Sequence, residues 1–197
     1  MLAGLPNYLT LFRIALIPVV AALFYLNSNL GYWVASSFFV VACITDYLDG
    51  YYARTLRQTT QLGQFLDPMA DKLLVASTLL LLVGFDRIKG ISLIPAIIIL
   101  CRELLVSGLR EFLAETKMSM PVTQLAKWKT GFQMTALTIL IAATPITNFL
   151  YLHALGTLSL WVSAILTLIT GYDYCRFGLK HIFNEQRIKS SEINARL

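Results

Sequence analysis

Residues 46–71 read DYLDGYYARTLRQTTQLGQFLDPMAD and combine acidic residues, glycines and arginines within a strongly apolar chain. Four carboxylates occur in this stretch, at positions 46, 49, 67 and 71. Ionisable groups inside a membrane are energetically costly and usually mark a functional site. The stretch therefore predicts a metal or ion site in a membrane protein.

Composition supports a membrane protein. The chain has 197 residues, of which 57% are hydrophobic and 14% are charged. A soluble domain is normally about a quarter charged, so the composition argues against an ordinary soluble enzyme. Each helical span needs ~20 mostly apolar residues, and the chain has room for six. We predict an all-α integral membrane protein with six transmembrane helices, formed by one catalytic domain at 1–197 that includes a basic cytoplasmic tail at 176–197.

Apolar runs give the approximate positions of the helices. The uncharged run at 130–172 is long enough for two spans, and Pro145 and Asn148 favour a turn between them at 144–148. The other predicted helices lie at 8–26, 32–54, 63–84 and 91–114.

The distribution of basic residues predicts the orientation in the membrane. With a cytoplasmic N-terminus the three outer loops lie at about 27–31, 85–90 and 146–151, and only Arg87 and Lys89 of the 16 Lys and Arg residues fall in them. Cytoplasmic loops are normally enriched in Lys and Arg, so the acidic stretch is expected to face the cytoplasm. The basic tail could also attract anionic lipids, or serve only as a topology signal.

The spacing of the acidic residues predicts that their side chains converge. Residues three, four and seven apart share one face of a helix. Because the connection at 55–62 is short, the two helices should be antiparallel neighbours whose acidic faces point into one cavity. The residues with this spacing are Asp46, Asp49, Gly50 and Ala53 on one helix, and Gly63, Asp67 and Asp71 on the next.

Four converging carboxylates predict bound cations, since like charges in one cavity repel each other. Two divalent ions would balance the charge, and all-oxygen ligands favour Mg²⁺ or Mn²⁺. Two-metal sites commonly act on phosphate esters. Gly50 and Ala53 would allow close approach of a large ligand, and Arg54 is suited to a phosphate. The alternative, carboxylates that only form structural salt bridges, is disfavoured because Arg54 and Lys72 cannot neutralise four acids.

The full pattern Asp-x2-Asp-Gly-x2-Ala-Arg-x8-Gly-x3-Asp-x3-Asp resembles the signature of the CDP-alcohol phosphotransferases, and every signature position is matched. The likeness extends to 6–13, 102–111 and 127–130. It implies a six-helix homodimer in the bacterial cytoplasmic membrane, with the active site near the cytoplasmic face. It also implies transfer of a phosphatidyl group from CDP-diacylglycerol to sn-glycerol 3-phosphate among membrane lipids. No nucleic-acid partner is expected.

The resemblance also implies roles for individual residues. Asp46, Asp49 and Asp67 would hold one metal ion, and Asp46, Asp67 and Asp71 a second. Asp71 would also be the base that deprotonates the 1-hydroxyl of the acceptor, which attacks the β-phosphorus and releases CMP. The residues assigned to CDP-diacylglycerol are Asn7, Thr10, Gly50, Ala53, Arg54, Thr60 and Gly63.

The acceptor is itself an anion, so a separate cationic pocket is predicted. Arg110 is the main candidate for its phosphate, helped by Arg102, Lys127 and Lys129. Other roles stay open at this point. Arg102 could pair with a neighbouring helix, Lys127 and Lys129 could be snorkelling anchors, and Arg13 could be an anchor at the cytoplasmic rim.

Two other functions are compatible with parts of the sequence. A sibling enzyme could use inositol phosphate, serine or phosphatidylglycerol, although the basic residues favour a phosphorylated acceptor over serine. A cation transporter would need polar groups that continue to the outer side of the membrane. The segments 73–83, 91–100 and 131–143 carry no charged residue, which argues against that alternative.

Overall fold

The computed structural model describes the backbone at 5–56, 61–115, 124–144 and 149–194, and side chains at 7–48, 63, 66–113, 124–144 and 150–178. Within these residues the regular structure is entirely helical, as the composition predicted. A single 3-10 turn, Gly90–Ser92, precedes the fourth long helix. The long helices are α1 Leu5–Tyr25, α2 Asn29–Leu56, α3 Gln61–Gly84, α4 Leu93–Glu115, α5 Gln124–Ala142 and α6 Phe149–Asn194.

Six helices were expected, and the break predicted at 144–148 falls between α5 and α6. Two boundaries differ. Helix α5 begins at Gln124, before the uncharged run at 130–172, and α6 continues well past that run to Asn194. Apolar runs mark the part of a helix that suits lipid. They do not mark its ends, because Lys, Gln and Arg are good helix formers and extend a helix beyond that part.

The turn between α1 and α2 is built from local capping. Ser28 Oγ accepts a hydrogen bond from the Gly31 backbone N–H at 3.0 Å, which satisfies a free donor at the start of α2. Asn27 has a left-handed φ of 46°. A Cβ at Gly31 would lie 2.9 Å from the Leu23 carbonyl oxygen, so glycine permits the close approach of the two helices.

The helices pack in two groups that meet mainly between α2 and α5, with smaller contacts of α3 with α4 and α5. In one group α1 packs on α2 and α3, and in the other α4 and α5 both pack on α6. Inside a membrane such contacts gain mainly from close van der Waals packing. Large side chains fully buried in the interior include Phe24, Phe39, Leu82, Ile99, Leu137, Leu140 and Leu160.

The outer surface is apolar, as expected for a protein in lipid. Large apolar side chains on several helices are more than half exposed, among them Leu80, Ile97, Leu104 and Leu158. A soluble protein rarely exposes so much apolar surface to water. Four helical segments in the described residues are long and apolar enough to cross a membrane: Asn7–Tyr25, Asn29–Leu48, Gly90–Leu113 and Leu150–Gly178.

The chain is therefore a membrane protein, whereas the count of six spans stays a prediction. α3 and α5 are outside this set of four segments. α3 carries Asp67, Asp71 and Lys72, and α5 carries two lysines near its start. Charged residues of both helices, Asp71 and Lys72 from α3 and the two lysines from α5, line one cavity.

Candidate active site

Three of the predicted metal-binding carboxylates lie together. Asp46 comes from α2, and Asp67 and Asp71 come from α3; one oxygen from each lies within 4.8 Å of the others. We call these three residues the acidic cluster. Their side chains are 38–42% exposed, so a ligand can reach them. The fourth, Asp49, follows Asp46 by three residues on α2, but its side chain lies outside the described residues.

The donor set of the acidic cluster suits a hard cation. Carboxylate oxygens are the ligands that Mg²⁺ and Mn²⁺ prefer over softer metals. Side chains from α2 and α3 supply them. Within the described residues these two helices pack mainly on α1 rather than on each other, so α1 brings their acidic faces together, and the direct α2–α3 packing expected from the short connection is not seen. The acidic cluster can therefore hold a divalent metal ion.

Arg13 on α1 lies in the middle of the acidic cluster. Its Nη1 atom is 2.5 Å from Asp71 Oδ1, 3.0 Å from Asp46 Oδ1 and 3.3 Å from Asp67 Oδ1. The Arg13 side chain is 0% exposed. The interpretation of Arg13 as an anchor at the rim is therefore wrong, because an anchor keeps its charged end in water or among headgroups. The position of Arg13 in an apolar run already indicated a buried charge with a partner, because charges inside a membrane protein are normally paired.

A second charged group lies on α4 and α5. Arg102, Arg110, Lys127 and Lys129 are the four predicted acceptor ligands, and we call them the basic cluster. Lys129 Nζ donates to the Glu103 carboxylate, and Glu103 Oε1 lies 3.7 Å from Arg102 Nη1. Glu103 is thus a counter-ion shared by two members of the basic cluster.

The two lysines of the basic cluster differ in exposure. Lys129 is buried at 5% exposure, so the snorkelling interpretation is wrong for it. Lys127, two residues earlier, is exposed and remains compatible with either role. Residues two positions apart on a helix are rotated by about 200° about the helix axis, so their side chains face different directions.

Helix α6 supports the arginines of the basic cluster. Arg102 Nη2 donates to Thr170 Oγ1 at 3.1 Å, so Arg102 does contact a neighbouring helix, the alternative left open for it, while its acceptor-binding role stays a prediction. Arg102 and Arg110 both approach the ring of Tyr174, with Cζ to centroid distances of 5.5 and 5.6 Å. A Cβ at Gly171 would lie 3.1 Å from Arg102 Cγ. Sequence reasoning missed Thr170, Gly171 and Tyr174, because nothing in their spacing relates them to α4.

Both charged groups line one cavity of about 790 Å³. Asp46 and Asp71 line it from α2 and α3, and all four members of the basic cluster line it from α4 and α5. An anion held by the basic cluster would therefore share a cavity with a cation held by the acidic cluster. This arrangement is suited to a reaction between two phosphorylated molecules.

The residues predicted to bind CDP-diacylglycerol fall in three groups. Asn7 and Thr10 are buried on α1, at 2% and 1% exposure, on the helix that also carries Arg13. Gly63 lies in the first turn of α3. The backbone of Gly50, Ala53 and Arg54 is part of α2, but their side chains lie outside the described residues, and Thr60 lies outside them altogether.

Comparison with known proteins gives a consistent result. The family model of the CDP-alcohol phosphatidyltransferases matches residues 3–169. A Rickettsia bellii protein named CDP-diacylglycerol–glycerol-3-phosphate 3-phosphatidyltransferase is 50% identical over 178 residues, covering 90% of this chain and 97% of that protein. A protein of the same name from Pseudomonas fluorescens is 44% identical over 187 residues, covering 93% of this chain and 94% of its own length.

The similarity extends to plants. An Arabidopsis thaliana protein named CDP-diacylglycerol–glycerol-3-phosphate 3-phosphatidyltransferase 2 is 42% identical over 183 residues, which covers 87% of this chain and 78% of that protein. The match to the family model includes α1 to α5 and nearly half of α6. It therefore includes the acidic cluster, the basic cluster and Arg13. This chain belongs to the CDP-alcohol phosphatidyltransferase family, as its signature between residues 46 and 71 predicted.

Proposed function

We propose that this protein transfers a phosphatidyl group from CDP-diacylglycerol to sn-glycerol 3-phosphate, giving phosphatidylglycerophosphate and CMP. The observation that carries the proposal is the single cavity lined by Asp46 and Asp71 and by the basic cluster. The three relatives align with at least 87% of this chain, and their names support the choice of both substrates.

The donor is proposed to bind at the acidic side of the cavity, with its acyl chains in lipid. Asp46, Asp49, Asp67 and Asp71 would hold two divalent ions, Mg²⁺ or Mn²⁺. Such ions, when bound, neutralise the diphosphate and stabilise the charge of the leaving phosphate. The residues proposed to contact the donor are Asn7, Thr10, Gly50, Ala53, Arg54, Thr60 and Gly63.

The acceptor is proposed to bind at the basic side, with its phosphate held by Arg102, Arg110, Lys127 and Lys129. Its 1-hydroxyl then points toward Asp71, which accepts the proton as the oxygen attacks the β-phosphorus of the donor. The bond between that phosphorus and the CMP oxygen breaks, and CMP leaves. The chain contributes positioning, charge and one base, and no covalent enzyme intermediate is required.

The proposal includes a location and an assembly. We infer a homodimer in the bacterial cytoplasmic membrane, with the cavity open to the cytoplasm and one catalytic domain over 1–197. The scarcity of Lys and Arg in the predicted outer loops supports this orientation. The dimer rests on the family resemblance.

The test uses purified protein with CDP-diacylglycerol, Mg²⁺ and labelled sn-glycerol 3-phosphate, and follows both label in lipid and CMP release. An Asp71→Asn variant should lose activity by about 10³-fold, within the usual range for loss of a general base and metal ligand. Inositol 1-phosphate serves as the alternative acceptor.

Asp86→Asn is the matched control. Asp86 lies in the turn after α3 with a φ of 56°, a conformation that asparagine tolerates, and it should retain full activity. Turnover with inositol 1-phosphate alone would keep the family and contradict the proposed acceptor. Full activity of Asp71→Asn would contradict the role of Asp71.

A further inference from the structure

We propose that Arg13 is a built-in counter-cation of the acidic cluster: it holds the three carboxylates together in the absence of metal and opposes the binding of divalent ions. Arg13 is thus a positioning residue that sets the metal affinity of the site. The inference rests on the metal site of the proposed function and adds a role for a residue of α1.

The contacts of Arg13 are those of a shared cation. One nitrogen, Nη1, lies within 3.3 Å of carboxylate oxygens from three residues. Nη1 carries only two hydrogens, so it cannot donate a separate hydrogen bond to each of the three acids. It donates to Asp71 Oδ1 and Asp67 Oδ1 and forms an ion pair with Asp46. Its positive charge therefore lies among oxygens that can also hold a metal ion.

The charges explain why such a residue is useful. Three carboxylates with oxygens within 4.8 Å of each other repel strongly wherever water is restricted. An arginine remains charged under all ordinary conditions, so Arg13 always cancels one of the three negative charges. When all three acids are ionised, two negative charges remain and still attract a divalent ion.

The position of Arg13 gives two consequences of opposite sign. Its attraction to Asp46 on α2 and to Asp67 and Asp71 on α3 fastens α1 to both helices, which stabilises the protein without metal. Its positive charge also repels any divalent ion that approaches the same oxygens. An ion pair away from the metal oxygens would produce the first effect without the second.

The experiment measures Mn²⁺ affinity and thermal stability rather than activity. Native protein and the variants Arg13→Met and Arg13→Lys are purified with EDTA and transferred to metal-free buffer. Bound Mn²⁺ is then followed by electron paramagnetic resonance, and the unfolding temperature is measured with and without Mn²⁺. Arg87→Met is the matched control, because Arg87 is also buried, at 8% exposure, and lies over the Tyr32 ring with its Cζ 4.3 Å from the centroid.

We expect Arg13→Met to unfold at a lower temperature in EDTA and to bind Mn²⁺ about tenfold or more tightly, since a positive charge beside the metal oxygens has been removed. Mn²⁺ should raise its unfolding temperature more than that of native protein. Arg13→Lys, which keeps the charge, should bind Mn²⁺ within about threefold of native protein. Arg87→Met should lose stability without any change in Mn²⁺ affinity.

Equal or weaker Mn²⁺ binding by Arg13→Met would overturn the inference while leaving the proposed function intact. If Arg13→Met does not fold, a large change of affinity in Arg13→Lys would overturn it instead. Absence of Mn²⁺ binding in the native protein would overturn both the inference and the proposed metal site.

Discussion

The acidic and basic clusters solve the same physical problem in different ways. Each gathers like charges inside a membrane protein, where unpaired charge is costly, and each contains one ion of the opposite sign. Arg13 serves three carboxylates in the acidic cluster, whereas Glu103 serves Arg102 and Lys129 in the basic cluster. In both cases a net charge remains, so that each side is held together yet still attracts a ligand.

The two counter-ions differ in where they lie. Arg13 sits among the oxygens that can hold a metal ion, so ligand and counter-ion compete for one place. On the basic side the arginines have further support, because Arg102 also bonds to Thr170 and approaches Tyr174. Glu103 instead orients the buried Lys129, so its removal should weaken acceptor binding, whereas removal of Arg13 should strengthen metal binding.

The largest effect on the basic side is expected for Lys129→Met. Lys129 is buried and paired, and loss of one partner of a buried charge pair typically costs about 2–5 kcal/mol. We expect kcat/KM for sn-glycerol 3-phosphate to fall about 100-fold, which corresponds to ~2.7 kcal/mol. The measurement is steady-state kinetics with CDP-diacylglycerol held at saturation.

Lys127→Met is the control for this prediction, since Lys127 lines the same cavity but is exposed. Its exposed charge should contribute less than about 1 kcal/mol, or a few-fold in kcat/KM. Equal effects of the two lysine variants would contradict the distinction drawn from burial.

Glu103→Gln tests the counter-ion itself. Without the carboxylate, Arg102 and Lys129 repel each other and Lys129 loses the group that orients it. We expect KM for sn-glycerol 3-phosphate to rise about tenfold, with a smaller change in kcat, because ~1.4 kcal/mol of acceptor binding is lost. The Mn²⁺ affinity should not change, in contrast to Arg13→Met.

Glu111→Gln is the matched control, eight residues along α4 and exposed, and it should behave as native protein. A fall of KM in Glu103→Gln would contradict the prediction, since it would mean that Glu103 chiefly repels the acceptor phosphate.

The smallest effect is expected for Gly171→Ala. The added Cβ would lie 3.1 Å from Arg102 Cγ, so the arginine stem must shift by a few tenths of an ångström. We expect KM for the acceptor to rise about two- to threefold, or less than ~1 kcal/mol. Gly108→Ala on α4, where a Cβ would meet nothing within 4 Å, should leave KM unchanged. Equal KM values in the two variants would show that the position of Arg102 tolerates this shift.

The sequence predicted the helices and much of the acidic cluster. The apolar runs predicted six helices, because a helix in lipid needs a continuous apolar surface. The spacing of Asp46, Asp67 and Asp71 predicted their convergence, since periodicity fixes which residues share a face. The short connection predicted that α2 and α3 pack on each other, whereas in the described residues both pack mainly on α1, which brings the acids together. Helix ends were predicted less well, as α5 and α6 extend beyond their apolar parts.

By itself, then, the sequence determined the helical class, the membrane environment, the family signature and the faces that carry the acids. Only the tertiary structure decided that Arg13 lies among those acids, that Lys129 is buried while Lys127 is exposed, and that Tyr174 supports the basic cluster. The physical reason is that periodicity acts within one helix, whereas these contacts depend on which helices are neighbours and how each is rotated about its axis. Those two quantities are set by packing of the whole bundle.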